Sequence, residues 1–356
     1  MSRVRLEGIT KSYGRSRALD RVGLDMAPER LTVVCGPPGS GKSVLFRLIM
    51  GLERPDAGRI LVDQADITDL PPARRMIGYV PQSFALFPHM SVFDNVAYPL
   101  RLQGVDRAAV ARRVAQAAEV LRITKLLAKR PSELSGGEKQ RAALARGILK
   151  DAHVFILDDP LVGLDFKLRE SLMEDLAEMR ARLGATFLYA TSDPLEALMM
   201  ADDLVVLDAG RVVDADRVDA VYATPRHLRA AELVGFPRCN VIPGQLRDGA
   251  CATSLLRFPV TPAGLGSADV AVAIRPEQIT LADDAPTGMG TVRLLENLGA
   301  ECVVHFTASG ESLVTTAPSR AVAHLDIGAP YPFRLRPEGL LVFDRASGAR
   351  IGLGHA

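Results

Sequence analysis

Residues 36–43, with the sequence GPPGSGKS, have the types and spacing that bind phosphate groups. They follow an apolar run, residues 31–35, that predicts a buried strand, and they precede an apolar segment, residues 44–50, that predicts a helix. Glycines let main-chain N–H groups turn towards an anion, and a helix N-terminus adds partial positive charge. The sequence therefore predicts a nucleotide site formed by Gly36, Pro37, Pro38, Gly39, Ser40, Gly41, Lys42, Ser43 and Val44. Lys42 is expected to reach the β- and γ-phosphates, and the Ser43 hydroxyl to ligate Mg²⁺.

Two adjacent carboxylates could complete this site. Residues 154–157 form a short apolar run that predicts a buried strand, and Asp158 and Asp159 follow it directly. A carboxylate at the tip of a strand beside a phosphate loop can hold Mg²⁺ through water, which we expect of Asp158. The next carboxylate, Asp159, can orient and deprotonate an attacking water. Gln82 follows another predicted strand, residues 77–80, and is either a metal or water ligand or an ordinary surface residue.

Two further motifs admit both a structural and a functional interpretation. Tyr13 precedes the loop and could stack on adenine, or it could be an ordinary turn aromatic. Ser135 and Glu138 have capping-box spacing, which predicts the start of a helix. Gly136 and Gly137 lie between them, so this helix start is either a second anion-binding site or only an N-cap.

Composition limits the class of protein. The chain has 356 residues, which is enough for two or three domains, and its 48% apolar and 24% charged residues are typical of a soluble globular protein. A net charge of +1 gives no electrostatic case for binding nucleic acid. Neither a membrane-spanning run nor a signal peptide is expected from the sequence. The four cysteines form no C-x-x-C pair, and we expect all four to be buried and reduced.

The hydrophobic pattern predicts two domains. Residues 3–35 are expected to form an antiparallel β layer, residues 83–100 an apolar-rich loop that is a local core or a docking face, and residues from 106 to about 131 helical structure. Beyond residue 240, short β-like runs separated by Gly and Pro predict a small barrel or sandwich. We therefore expect a nucleotide-binding domain at 1–235, with a helical subdomain at about 90–150, and a β domain at 236–356.

The order of these motifs resembles the ATP-binding subunits of ABC transporters, and within them the maltose-type, carbohydrate-uptake importers. Besides the loop and LSGGEKQR, the pieces that carry the resemblance are DLPP at 69–72, ALFPHMSV at 85–92, VGFPRCN at 234–240, IRPE at 274–277 and LVFD at 341–344. The resemblance implies an α/β fold: an ABC-type P-loop ATPase core with an antiparallel β layer and a helical subdomain. A C-terminal all-β, OB-like (TOBE-type) regulatory domain would follow.

The resemblance also implies roles and partners. Tyr13 would stack on adenine, Gln82 would sense Mg²⁺ and the γ-phosphate, and Asp165 would signal across a dimer. Ser135, Gly136 and Gly137 would contact ATP held by the opposing subunit. Residues 84–100 would receive two transmembrane permease subunits at the cytoplasmic face of the inner (plasma) membrane. An extracytoplasmic solute-binding protein would take part indirectly, and no nucleic acid is expected.

Three positions depart from this family pattern. The family usually has Glu where this chain has Asp159, His where it has Ser192, and Thr where it has Val44. Asp is about 1.5 Å shorter than Glu, and a misplacement of about 1 Å can cost on the order of 100-fold in rate. Ser192 lacks the ring nitrogen through which a histidine would contact the γ-phosphate. We therefore predict that the chain binds MgATP but hydrolyses it slowly, and that it pairs with a second, intact ATPase.

Several alternatives stay open from the sequence. A homodimer in which Asp159 suffices would give slow but real turnover. The transported solute is expected to be a carbohydrate or polyol, although polyamine, iron and oxyanion importers share most of these motifs. A non-transport soluble ABC protein would carry basic clusters or a tandem second cassette, and the sequence has neither. The β domain could also be a binding module for a regulator.

Overall fold

The computed structural model describes residues 2–150, 152–262, 266–282 and 284–355. Its elements fall into two units, residues 1–218 and residues 219–356. The predicted boundary at 235 therefore lies inside the second unit. The reason is a short helix, Leu228–Leu233, because its Ala231 shares a small hydrophobic core with Cys239, Phe343 and other residues of the second unit. No helix in the described ranges is long and apolar enough to span a bilayer.

The first unit combines two sheets with six helices among its described residues. In chain order its elements are β1 (Val4–Tyr13), β2 (Ser16–Met26), β3 (Leu31–Cys35), α1 (Lys42–Met50), β4 (Ala57–Val62), β5 (Ala65–Asp66), β6 (Ile77–Val80), α2 (Val92–Leu102), α3 (Arg107–Val120), α4 (Gly136–Ile148), β7 (Val154–Asp158), α5 (Phe166–Leu183), β8 (Thr186–Thr191), α6 (Pro194–Met200), β9 (Asp203–Asp208) and β10 (Arg211–Arg217). Short 3₁₀ turns occupy 72–74, 124–126 and 131–133.

The central sheet has the strand order β10-β9-β3-β8-β7-β6. All its pairs are parallel except the β9–β10 hairpin. Strands β3, β7 and β8 are buried along their whole length, as expected for parallel strands covered on both faces. Their carboxyl ends meet at one edge of the sheet, and ligands of open α/β sheets bind at this edge.

The antiparallel β layer is smaller than the sequence predicted. Its strand order is β2-β1-β4-β5. The prediction that this layer extends to residue 35 is wrong, because β3 pairs in parallel with β8 and β9 in the central sheet. Every residue of β3 is buried, which an outer antiparallel layer with one solvated face would not require.

Residues 83–100 are not a single loop. Helix α2 begins at Val92, and the Ser91 side chain caps it by accepting a hydrogen bond from the Asp94 N–H at 3.0 Å. Val92, Val96 and Leu100 recur at helical spacing and are buried. This half of the segment therefore forms a local core. Helix α3 lies within the range 106–131 that was predicted to be helical, and α4 begins at Gly136, directly after the capping-box residue Ser135.

The second unit is mainly β-structure. Its elements are α7 (Val218–Ala223), α8 (Leu228–Leu233), β11 (Asn240–Arg247), β12 (Ala250–Thr253), β13 (Arg257–Thr261), β14 (Ala268–Ile274), β15 (Ile279–Leu281), β16 (Gly288–Asn297), β17 (Glu301–Ala308), β18 (Glu311–Pro318), α9 (Ser319–Val322), β19 (Pro330–Leu335), β20 (Leu341–Asp344) and β21 (Arg350–Gly354), with a 3₁₀ turn at 276–278. Strands β11-β12-β13-β21-β20-β14 close into a barrel, and β15-β19-β16-β17-β18 form a five-stranded sheet.

The four cysteines are free and buried, as the sequence predicted. Burial raises the pKa of Cys35 to about 12 and the pKa of both Cys239 and Cys251 to about 11. These thiols therefore act as small core side chains.

Candidate nucleotide-binding site

The loop between β3 and α1 has a shape that only glycine permits at two positions. A Cβ on Gly36 would lie 2.1 Å from the Leu207 carbonyl oxygen, and a Cβ on Gly41 would lie 2.7 Å from the Ala18 carbonyl oxygen. Gly41 also has a φ of 108°, which L-residues rarely adopt, and it is the N-cap of α1. The loop is thus held against its neighbours, with the N-terminus of α1 directly behind it.

Lys42 is folded back over the loop. Its Nζ donates to the Gly36 carbonyl oxygen at 2.6 Å and to the Pro37 carbonyl oxygen at 3.1 Å, and 8% of the residue is exposed. Burial lowers the pKa of Lys42, and the nearby Asp159 carboxylate opposes that shift. Its ammonium group is therefore poorly solvated, which favours an interaction with a phosphate.

Ser43 and Asp158 supply oxygen ligands side by side. The Ser43 hydroxyl donates to Asp158 Oδ1 at 3.0 Å. Burial raises the pKa of Asp158, while Ser43 and the cations Arg47 and Lys42 lower it. In the described part of the chain no cluster of three or more His, Cys, Asp or Glu could hold a metal ion. The pair fits Mg²⁺, because this ion prefers oxygen ligands and usually takes its remaining ligands from phosphate and water.

Asp159 has an unusual main-chain conformation. Its φ is 50°, in the left-handed region where Asp and Asn are the commonest residues after glycine. Its main-chain N–H donates to the Ala190 carbonyl oxygen at 3.0 Å, which ties it to the end of β8. Burial raises the pKa of Asp159, Lys42 lowers it and Asp158 raises it further. A carboxylate with a raised pKa is suited to accept a proton near neutral pH.

A cavity of about 410 Å³ brings most of these residues together. Its lining consists of Ala18, Pro38, Gly39, Gly41, Lys42, Ser43, Val44, Gln82, Asp158, Asp159, Val162 and Ser192. The three positions that depart from the family pattern thus border one cavity with the phosphate loop. Gly36, Pro37 and Ser40, which were also predicted as site residues, do not line this cavity. Ala18 and Val162 were not predicted as site residues. Val162 lies in the sequence LVGLD at 161–165, which follows the two carboxylates and ends at Asp165, whereas no motif marks Ala18.

Tyr13 does not line this cavity. It ends β1, is 45% exposed, and its hydroxyl donates to a Glu53 carboxylate oxygen. The Lys11 ammonium lies 5.6 Å from the centre of its ring. The predicted stacking on adenine would therefore have to occur outside this cavity.

Ser135, Gly136 and Gly137 also lie outside the cavity. Ser135 caps α4 in the predicted capping box: its hydroxyl accepts from the Glu138 N–H at 3.3 Å, and Glu138 Oε2 accepts from the Ser135 N–H at 2.7 Å. A Cβ on Gly137 would lie 2.2 Å from Leu168 Cδ2, whereas a Cβ on Gly136 would meet nothing within 4 Å. Gly137 thus packs directly against the Leu168 side chain, whereas Ser135 and Gly136 are exposed.

An ion-pair network that the sequence did not indicate supports the Ser192 turn. Arg169 from α5 donates to Asp193 Oδ2 at 2.8 Å, and its Nε lies 3.6 Å from Glu196 Oε1. The buried Glu196 carboxylate accepts from the hydroxyls of Thr191 at 2.7 Å and Tyr189 at 2.9 Å. These contacts fix the end of β8 and the start of α6 on either side of Ser192.

The chain matches two protein families. Residues 19–162 match the family described as ABC transporter, and residues 272–343 match the TOBE domain. Among characterised proteins, the sn-glycerol-3-phosphate import ATP-binding protein UgpC of Ruegeria sp. is 36% identical over 99% of this chain and 99% of its own length. The maltose/maltodextrin import ATP-binding protein MalK of Salmonella typhimurium is 34% identical over 96% of both chains.

Solved structures show the same fold for the first unit. The dimeric, post-hydrolysis state of the ATP-binding cassette MJ0796 bound to ADP and Pi is 28% identical, with a TM-score of 0.56 over 60% of this chain and 98% of that chain. The cbiO1 protein of Clostridium perfringens, part of the ABC transporter complex cbiONQ, is 29% identical with a TM-score of 0.57 over 62% of this chain and 90% of that chain.

Proposed function

This chain belongs to the ATP-binding subunits of ABC importers, and we propose that it binds ATP as its Mg²⁺ complex, closes around it with a second cassette and contributes binding more than hydrolysis. ATP binding and association with membrane permeases follow from the family. We propose in addition that the chain binds Mg²⁺, pairs with a second cassette and hydrolyses ATP slowly. The observation that carries it is the single cavity in which Lys42, Ser43 and Asp158 meet Asp159 and Ser192.

Each residue of the cavity has a chemical task in this proposal. The loop amides, the N-terminus of α1 and Lys42 bind the phosphates. Ser43, Gln82 and Asp158 hold Mg²⁺, which neutralises phosphate charge when it is bound. Asp159 orients the attacking water and accepts its proton.

Slow hydrolysis is supported by the geometry at Asp159 and Ser192. The Asp159 main chain is tied to Ala190, so it cannot move forward to compensate for its shorter side chain. Ser192 lies on a turn that is held by the contacts of Arg169 with Asp193 and Glu196. The serine side chain is shorter than that of a histidine, and its hydroxyl cannot carry the positive charge that an imidazole can. The shorter carboxylate at Asp159 and the missing imidazole at Ser192 both weaken stabilisation of the transition state. Neither change removes a group that binds the phosphates.

Pairing with a second cassette is supported by the exposed start of α4. Ser135 and Gly136 are exposed and outside this chain's own cavity, so they are free to complete a site on another subunit. We propose a different ATPase with Glu and His at the two positions as the partner. A homodimer is the second candidate, because a shortened base lowers turnover without abolishing it.

The remaining assignments rest on the named relatives. Their substrates, glycerol 3-phosphate and maltose or maltodextrin, support a carbohydrate or polyol derivative as the solute. We propose that the chain associates with two permease subunits at the cytoplasmic face of the membrane. We also propose that an extracytoplasmic solute-binding protein determines the solute specificity and that the second unit has a regulatory role.

The test is ATP binding and turnover by the purified full chain. We expect tight binding of MgATP with turnover about 100-fold below that of the same chain mixed with an intact cassette. Brisk turnover by the chain alone, lost in D159N, would contradict the weak-site proposal. Failure to bind MgATP at all would contradict the function itself. Co-purification of the native complex, followed by mass determination, separates a heterodimer from a homodimer.

A further inference from the structure

The segment between β6 and α2 contains two consecutive strained residues. Phe84 has a φ of 58° and Ala85 a φ of 48°, both in the left-handed region. Neither is Gly, Asn or Asp, the residues that tolerate this region best. Two adjacent non-glycine residues keep such a conformation only where surrounding groups hold them.

Arg146 of α4 provides one of these groups. Its Nη1 donates to the Ala85 carbonyl oxygen at 2.6 Å and its Nη2 to the Phe84 carbonyl oxygen at 2.8 Å. The guanidinium carbon also lies 5.8 Å from the centre of the Phe87 ring. Within the described residues, Arg146 has no carboxylate partner, and burial lowers the pKa of Arg146. The two terminal nitrogens of its planar guanidinium group therefore both donate to these main-chain carbonyl groups.

Asn95 holds the other end of the same segment. It is fully buried, and its side chain accepts from the Phe87 N–H at 2.7 Å and donates to the Phe87 carbonyl oxygen at 3.1 Å. Residues 84–87 are thus fixed between α2 and α4. Gln82, two residues before Phe84, lines the nucleotide cavity.

We propose that Arg146 is a positioning residue for Gln82: it holds residues 84 and 85 in the left-handed conformation and so directs Gln82 into the cavity. The inference rests on the proposed metal role of Gln82. Arg146 touches neither nucleotide nor metal, and it acts through the main chain. A lysine keeps the charge but cannot hold both carbonyl groups in one plane, so it cannot replace the arginine.

The first test separates ATP binding from metal binding in the full-length protein. ATP affinity is measured in EDTA, and Mg²⁺ is then titrated into the ATP complex. We expect R146A and R146K to leave the metal-free ATP affinity within about twofold and to raise the Mg²⁺ concentration at half-saturation about tenfold. R112A, which removes an exposed arginine of α3, is the matched control and should change neither value.

A double-mutant cycle identifies the route of the effect. If Arg146 acts through Gln82, the variant R146A/Q82A requires no more Mg²⁺ than Q82A alone. Hydrogen–deuterium exchange provides a second measurement that needs no metal. Amides of residues 83–90 should exchange at least about tenfold faster in R146A, while β7 and α4 stay protected. If R146A does not fold, R146K and R146Q take its place.

Three outcomes would overturn the proposal, and a fourth concerns the metal role of Gln82 alone. Additive effects of R146A and Q82A on the Mg²⁺ requirement would overturn it, and so would unchanged exchange in residues 83–90. A loss of metal-free ATP affinity equal to the loss of Mg²⁺ affinity would overturn it as well, because it would indicate general damage to the site. If Q82A alone does not change the Mg²⁺ requirement, the proposed metal role of Gln82 is wrong, and hydrogen exchange alone then decides the role of Arg146.

Discussion

Lengthening Asp159 by one methylene is expected to restore hydrolysis. The main chain at this position is tied to Ala190 at 3.0 Å, so a longer side chain advances the carboxylate by about 1.5 Å without moving the strand end. Since a misplacement of about 1 Å costs on the order of 100-fold, D159E should raise turnover by about 10- to 100-fold. A further gain is expected in D159E/S192H, because an imidazole can also contact the γ-phosphate.

The same substitution should reduce stability. Asp159 has a φ of 50°, and Asp tolerates this region better than Glu does. We therefore expect D159E to lower the free energy of unfolding by about 1 kcal/mol, measured by urea denaturation without nucleotide. The gain in rate and the loss of stability have one origin, the fixed main chain at residue 159.

The assay is phosphate release at saturating MgATP by the wild-type chain and by D159E and D159N. D159N keeps the size of the side chain and removes its basicity, so it should be slower than the wild type. The reasoning is refuted if D159E is no faster and D159N no slower than the wild type, because hydrolysis would then not depend on the carboxylate at 159.

Three further predictions concern the same site. K42A should weaken ATP binding by about 10- to 100-fold, because it removes a charged donor to the phosphates. Calorimetry measures this affinity, and an unchanged value would contradict the proposed placement of the phosphates beside Lys42. Because burial raises the pKa of Asp159, the folded state holds that proton more tightly than the unfolded state, so the charged form destabilises the fold. D159N should therefore be more stable than the wild type at pH 8, with a difference that shrinks as the pH falls towards about 4, the ordinary pKa of an Asp side chain, and denaturation at both pH values checks the sign. G137A should be less stable than G136A by about 1–3 kcal/mol, because a Cβ on Gly137 would lie 2.2 Å from Leu168 Cδ2 while a Cβ on Gly136 would meet nothing within 4 Å. Comparing the two variants cancels the helix preference of alanine over glycine, and G136A should weaken ATP-dependent pairing. Equal stability of the two variants in denaturation would contradict this packing argument.

The phosphate loop and the carboxylates could be predicted because their signals are local. Residues 36–43 carry the conformation in their own glycines, and Asp158 follows a strand whose apolar run is unbroken. Parallel strands place their carboxyl ends at one edge, so the meeting of Ser43 and Asp158 follows once the fold class is known. The burial of the four cysteines was expected because free cysteine is among the most buried residue types.

Other features depend on contacts that no local pattern encodes. The sheet to which β3 belongs is set by its pairing with β8 and β9, more than 150 residues away in sequence. The hydrogen bonds of Arg146 to residues 84 and 85 join distant segments through main-chain oxygens, which side-chain type does not reveal.

The buried cysteines make the protein a convenient subject for chemical labelling. A thiol reacts as its anion, and burial that raises the pKa of Cys35 to about 12 leaves almost none of that anion at neutral pH. The native chain should therefore stay unmodified by maleimides, while a cysteine introduced at exposed Arg112 of α3, away from the proposed pairing residues, should react within minutes. A spin label placed there would report the distance to its counterpart, and two identical labels in one particle would identify a homodimer directly.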